Sequence, residues 1–150
     1  MNARGVIVAT GCLILGAVGW SIVQKERLLR EGTRVRLELA TRDPRSLMQG
    51  DYMVLRYALA RDFGARPDGV VELDLGEGDV ASLATGTGDV RIVHRLRGGE
   101  HRLGTDGFYF EEGTGGDYAA ARYAELRVDT AGNSVLVGLL DEKFVRLGPE

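Results

Sequence analysis

The sequence has a single cysteine, Cys12, placed inside an apolar run, so the rest of the chain can hold neither an internal disulfide nor a cysteine-based metal cluster. That absence does not argue against export, because a domain of this size can build a core without disulfides. Lysine is nearly as scarce, with only Lys25 and Lys143. With Lys+Arg 19 against Asp+Glu 22, a formal net charge of -3 and no long basic stretch, the electrostatic footprint of a nucleic-acid binder is missing. Gly76-x-Gly78 and Gly86-x-Gly88 resemble fragments of a phosphate loop, but neither continues into a third glycine or a Gly-Lys-Ser/Thr ending. They are expected to be hairpin turns, and no cofactor is expected.

What is present is the composition of a folding protein. Hydrophobic residues make up 44% and charged residues 27% of 150 positions, enough apolar surface for one domain's core. The 22 glycines against 3 prolines fall between short apolar runs, which favours many short strands.

From Gly5 to Val23 the stretch GVIVATGCLILGAVGWSIV carries no charge for 19 positions, about the length a helix needs to cross a ~30 Å hydrocarbon core. Trp20 suits the membrane interface, and Lys25, Arg27 and Arg30 can snorkel to headgroups. Ala17-Val18-Gly19 has the form of a small-x-small cleavage site and Gly11-Cys12 that of a lipoprotein site, but the apolar run continues past both, so a retained anchor is expected. The basic residues after the run slightly favour the opposite orientation, yet a short tail before a lone apolar helix is the layout of a signal anchor. We therefore expect residues 1–23 to anchor the chain in the inner (cytoplasmic) membrane, with its N-terminus cytoplasmic. Residues 24–32 then form a helical stalk ending at a left-handed Gly32, and residues 33–150 a domain in the periplasm or outside the cell.

In that domain Val35, Leu37 and Leu39 alternate with Arg34, Arg36 and Glu38, the period of a strand with one buried face. Similar runs are expected to be strands at 53–60, 70–75, 90–96, 108–110, 125–128 and 134–140, separated by Gly/Asp turns such as Pro67-Asp68-Gly69 and Gly98-Gly99. The fold expected is mainly β, a small antiparallel sandwich or open barrel, with one short helix over the Ala-rich stretch from Tyr118 to Glu125. GDYMVLRYALAR from Gly50 and GDYAAARYAELR from Gly116 echo each other, but their compositions point to unequal structures.

The most distinctive stretch runs from Asp43 to Tyr57, DPRSLMQGDYMVLRY. Asp43 before Pro44 starts a turn, Gly50 permits a positive φ, and Asp51 can accept turn amides before the chain extends. Leu55 and Tyr57 then share one strand face and Tyr52 takes the other. This stretch resembles the signature of the GDYXXLXY family, with Gly50, Asp51, Tyr52, Leu55 and Tyr57 at every named position, and FYFEEGTG from Phe108 is similar to a later aromatic-rich segment of that family, with Glu111 at a place where proline is usual. The resemblance implies a membrane-anchored bacterial envelope protein, often associated with a multispanning membrane protein. It attaches no activity.

Leu47-x-x-Gly50-Asp51 also resembles the turn after the nucleophile of membrane-bound signal peptidases, but Arg42 stands where the serine would be and neither lysine is placed as a base. His94 and His101 flank the Gly98-Gly99 turn, so a hairpin can bring them together. With a carboxylate they would make a metal site, whereas a solvated pair is the plainer expectation. Glu111, Glu112 and Asp117 bracket EEGTGGD without EF-hand spacing, which leaves turn chemistry. The expected role is therefore a tethered binding or accessory module for a multispanning membrane protein. Its candidate binding residues are Asp43, Pro44, Gly50, Asp51, Tyr52, Leu55, Tyr57, Glu112 and Gly113, without a catalytic or metal site. The alternative is a metal-dependent or degenerate signal-peptidase-like hydrolase using Asp43, Asp51, Glu112 and a histidine.

Overall fold

Apolar side chains dominate every side of the first helix, α1 (Ala3–Glu31), from Val6 to Val23 in the computed structural model, which describes residues 3–40, 48–49 and 52–148. Ile7, Leu13, Leu15 and Trp20 are each about 70% exposed, so nothing among the described residues covers this surface. The part from Val6 to Glu31 is long and apolar enough to cross a membrane, a property that a signal sequence shares. Residues 24–31 are the unbroken last turns of α1, and Leu28 there is buried against the β-strands. Gly32 does not adopt the expected left-handed cap. Its backbone amide donates to Leu28 O at 2.9 Å, and a side chain there would strike that same carbonyl and the Leu28 Cδ1 at 2.9 Å.

The rest is mostly antiparallel strand. A first sheet has the order β1 (Thr33–Glu38), β9 (Tyr123–Val128), β10 (Ser134–Leu140). A second has the order β5 (Ala81–Leu83), β4 (Gly69–Leu75), β6 (Val90–Arg97), β7 (Glu100–Leu103). The third joins β2 (Met48–Gln49), β3 (Tyr52–Val54) and β8 (Gly107–Tyr109). An antiparallel bridge from Leu39 to Tyr57, a parallel one from Arg36 to Val80, and the Val93 amide donating to Gly132 O at 2.9 Å link the sheets into a half-barrel. Alternate residues turn inward, as period two requires: Val35 and Leu37 on β1, Val71 and Leu73 on β4, Ile92 on β6, Ala124 and Leu126 on β9. These meet Leu103 and Leu139 in one core, each such aliphatic side chain contributing about 1.5–3 kcal/mol by burial.

Two expected elements differ. The strand expected at 53–60 stops at Val54, and Ala58–Phe63 is a 3-10 helix that drops Leu59 and Phe63 into the core. The Ala-rich helix expected from Tyr118 to Glu125 is instead a 3-10 turn at Gly115–Tyr118 followed by β9, because alternation of Ala124, Leu126 and Val128 with Tyr123, Glu125 and Arg127 fits the sheet and outweighs alanine's helix propensity. The two echoed segments thus have opposite structures, strand then 3-10 helix against 3-10 helix then strand.

Candidate functional site

The motif strand β3 lies against β8, pairing Tyr52 with Tyr109, Met53 with Phe108 and Val54 with Gly107. The two segments that carry the signature are therefore neighbouring strands. Alternation continues beyond β3: Met53, Leu55 and Tyr57 are buried while Tyr52, Val54 and Arg56 are only half-buried, the facing expected for Leu55, Tyr57 and Tyr52. Leu55 is core, and its amide donates to Asp106 O at 2.8 Å. Tyr57 is 3% exposed and donates its hydroxyl to Thr105 O at 2.9 Å. Burial, with the nearby Asp106 charge, pushes the Tyr57 phenol well above the usual tyrosine range, so it remains a neutral donor. These two signature residues fasten the motif into the core.

Tyr52 faces outward, its ring centroid 5.7 Å from that of Tyr109, which is 78% exposed. Beyond β8 the chain turns at exposed Glu112 and Gly113, the latter at φ 85°, a left-handed conformation that favours glycine. The Thr114 amide and hydroxyl both donate to Glu111 O, so EEGTGGD is turn chemistry. Beneath it Phe108, Phe110 and Tyr118 form an aromatic cluster, with centroids 4.9 Å (Phe108–Tyr118) and 5.5 Å (Phe110–Tyr118) apart. Asp43, Pro44, Gly50 and Asp51 lie outside the described residues.

Further along the motif, a cavity of about 510 Å³ opens between Val54–Tyr57 and the β6–β7 turn. Two ion pairs line it, Arg56–Glu100 at 2.8 Å and Arg102–Asp106 at 2.9 Å. Arg61 adds a third guanidinium, with no carboxylate partner among the described residues. Sequence reading missed this cavity, since its walls come from segments with no shared motif.

The expected histidine pair forms, but only His101 of the two is partly solvated and His94 is buried. Gly98 and Gly99, both at positive φ, close the β6–β7 hairpin and bring the two Nδ1 atoms to 3.2 Å. His94 is 2% exposed, and both rings pack on Phe63. His101 Nε2 donates to the Gly64 carbonyl at 2.9 Å, so in the neutral pair His101 Nδ1 is the acceptor and His94 Nδ1 the donor. Burial lowers the His94 pKa, the neighbouring His101 and Arg66 lower it further, and Asp68 opposes them. Among the described residues, no group of three or more His, Cys, Asp or Glu side chains is placed to hold a metal ion.

A further polar centre was unforeseen. Arg36, on β1, pairs with Glu125 on β9 at 3.4 Å, donates to Gly78 O at 2.8 Å, and lies 4.5 Å from the centroid of the Phe144 ring. Both side chains of the pair are more than four-fifths buried. An unpaired arginine in β1 reads as a solvent-facing residue, so local alternation gave no signal for it.

An apolar N-terminal helix carrying a half-barrel, on which two signature strands pair, defines a small β-domain protein with a helix fit for membrane anchoring. The model of the GDYXXLXY protein family matches residues 14–139, most of the chain, and the chain belongs to that family, whose function is uncharacterised. No curated protein and no solved structure matches it.

Proposed function

We propose that this protein is a binding or accessory module, held by α1 in the inner membrane with its β domain on the outer side, and that it recognises a multispanning membrane protein through the Tyr52–Tyr109 face and the adjoining Glu112–Gly113 turn. The observation that carries this reading is the pairing of β3 with β8, which gathers both signature segments at one place and leaves Tyr109 78% exposed. Tyr109 stands beside Tyr52 on this face, and aromatic side chains are favoured anchors at protein interfaces. Among the described residues no serine, threonine or cysteine side chain is hydrogen-bonded to a histidine or lysine, so the geometry offers no activated nucleophile for the hydrolase alternative. Asp43 and Asp51, which that alternative needs, fall outside the described residues.

The test is mild crosslinking in native membranes followed by copurification, with wild type beside Tyr109→Ser. One recurrent membrane protein with wild type, lost in a variant that melts at the wild-type temperature, supports the reading. A protein recovered alone in both cases overturns it.

A second reading has its own observation, the 510 Å³ cavity, which is within the size range of small-ligand sites. The guanidinium of Arg61, unpaired among the described residues and set beside two arginine–carboxylate pairs, suits a small organic anion. Thermal shifts with a panel of small carboxylates and phosphate esters, repeated with Arg61→Ala, test it.

A further inference from the structure

The helix and the domain are joined without a linker. α1 ends at Glu31 and β1 begins at Thr33, with only Gly32 between them. Three contacts fix the joint: Leu28 is buried at 7% exposure, the Gly32 amide donates to Leu28 O, and Arg127, on β9, donates from Nη1 to Gly32 O at 3.1 Å. A chain at this joint cannot swing as it would on a flexible tether.

The joint also sets the height of the domain. Helix rise places Leu28 only about 7 Å beyond Val23, the last residue of the uncharged run. The domain therefore starts within the depth of a headgroup layer. The β9–β10 turn points back along the helix, since β9 ends at Val128 opposite Thr33, the membrane-side end of β1. Between that turn and one helix face lies a wedge-shaped cavity of about 360 Å³, reaching from Trp20 and Val23 through Arg27 to Asp129 and Thr130. It begins on residues of the apolar run and ends on charged ones, the polarity gradient of a bilayer surface.

The turn itself is stiff. Asp129 Oδ1 accepts the Ala131 and Asn133 amides at 2.9 and 2.8 Å, and Oδ2 accepts the Asn133 side chain at 2.9 Å. Burial alone would raise the Asp129 pKa, but these hydrogen bonds outweigh it and hold the carboxyl below its usual range. The turn therefore keeps a fixed shape and a saturated carboxylate.

We infer that phospholipid headgroups fill the wedge between α1 and the β9–β10 turn, so that the domain lies with its Val128–Asn133 end on the bilayer surface. This rests on the membrane-anchor reading above. It fixes the domain's posture: β1 rises from the surface for roughly 20 Å, and the Leu39–Tyr57 bridge stands at its far end. The motif's Tyr57 end and its cavity are then held off the membrane.

The test places single nitroxide labels on the full chain in vesicles of phosphatidylethanolamine with phosphatidylglycerol. Cys12→Ser is the background, and Leu15→Cys, Thr130→Cys and Lys143→Cys are compared; Lys143 follows β10 at the end of the first sheet away from the helix. The expected result is a label at 15 reached by lipid-soluble oxygen, and a label at 130 whose collisions with a water-soluble nickel chelate are at least roughly twofold fewer than at 143. Shielding at 15 with equal nickel access at 130 and 143 overturns the posture and leaves the anchor standing. Nickel access at 15 overturns the anchor reading and this inference with it.

Discussion

The rings of Tyr52 and Tyr109 lie 5.7 Å apart across paired strands, joining two signature segments that are distant in sequence. The same short strand turns its other face to the core through Met53, so the motif divides into a surface half and a structural half.

For the structural half, Tyr57→Phe is expected to lower stability by about 1 kcal/mol, because the Thr105 carbonyl loses its buried donor. Tyr57→Ala adds a cavity and should cost roughly 3–5 kcal/mol. Denaturant unfolding of the full chain in detergent measures both. A Tyr57→Phe variant as stable as wild type would show that the hydroxyl is not a fastening.

The histidine pair makes stability depend on acidity. The His94 pKa is lowered from 6.5 in the folded chain, so the unfolded chain binds more protons as the pH falls. Its stability contribution is complete above about 6.5 and is lost as pH drops through the lower folded value. Melting temperatures across this range should fall on the acid side, and His94→Leu should flatten that limb.

Arg36→Ala should destabilise by about 3 kcal/mol, since it strands the mostly buried Glu125 carboxylate and removes the cation over Phe144. Arg36→Lys should recover little, because one ammonium cannot reproduce the guanidinium's planar contacts to Glu125, Gly78 and the ring. Chemical unfolding of the two variants decides it.

At the helix–domain joint, Gly32→Ala forces a methyl group against the Leu28 carbonyl and within 3.1 Å of Arg127 Cβ. Overpacking of this kind should cost about 1–3 kcal/mol. Faster proteolysis at the joint, measured against wild type, would report the loosened contact, and unchanged resistance would contradict it.

Much of this architecture is legible in the sequence, because β1, β4, β6 and β9 each bury alternate residues and are bounded by glycine or aspartate turns, while β10 is a continuous apolar run. Short β5 and β7 escape notice: β7 is Glu-His-Arg-Leu, with only Leu103 fully buried, too little for a period to register. The Ala-rich segment misleads because its composition favours helix while its neighbours in the sheet select strand. The histidine contact is foreseeable from the Gly-Gly hairpin, but its burial depends on Phe63, which arrives from the 3-10 helix before β4. The Tyr52–Tyr109 pairing and the Arg36 site depend on registers between distant strands, which local patterns do not encode.

In the function proposed above, the outward half of the motif is a recognition surface. The most direct measurement replaces Tyr109 with a photoreactive residue in the full-length protein, irradiates native membranes, and identifies adducts by mass spectrometry, with exposed Arg91 on β6 as the control position. One recurrent membrane-protein adduct is expected from position 109 and none from 91. No adduct from 109, or the same scattered adducts from both, would contradict it and make the whole motif a folding element.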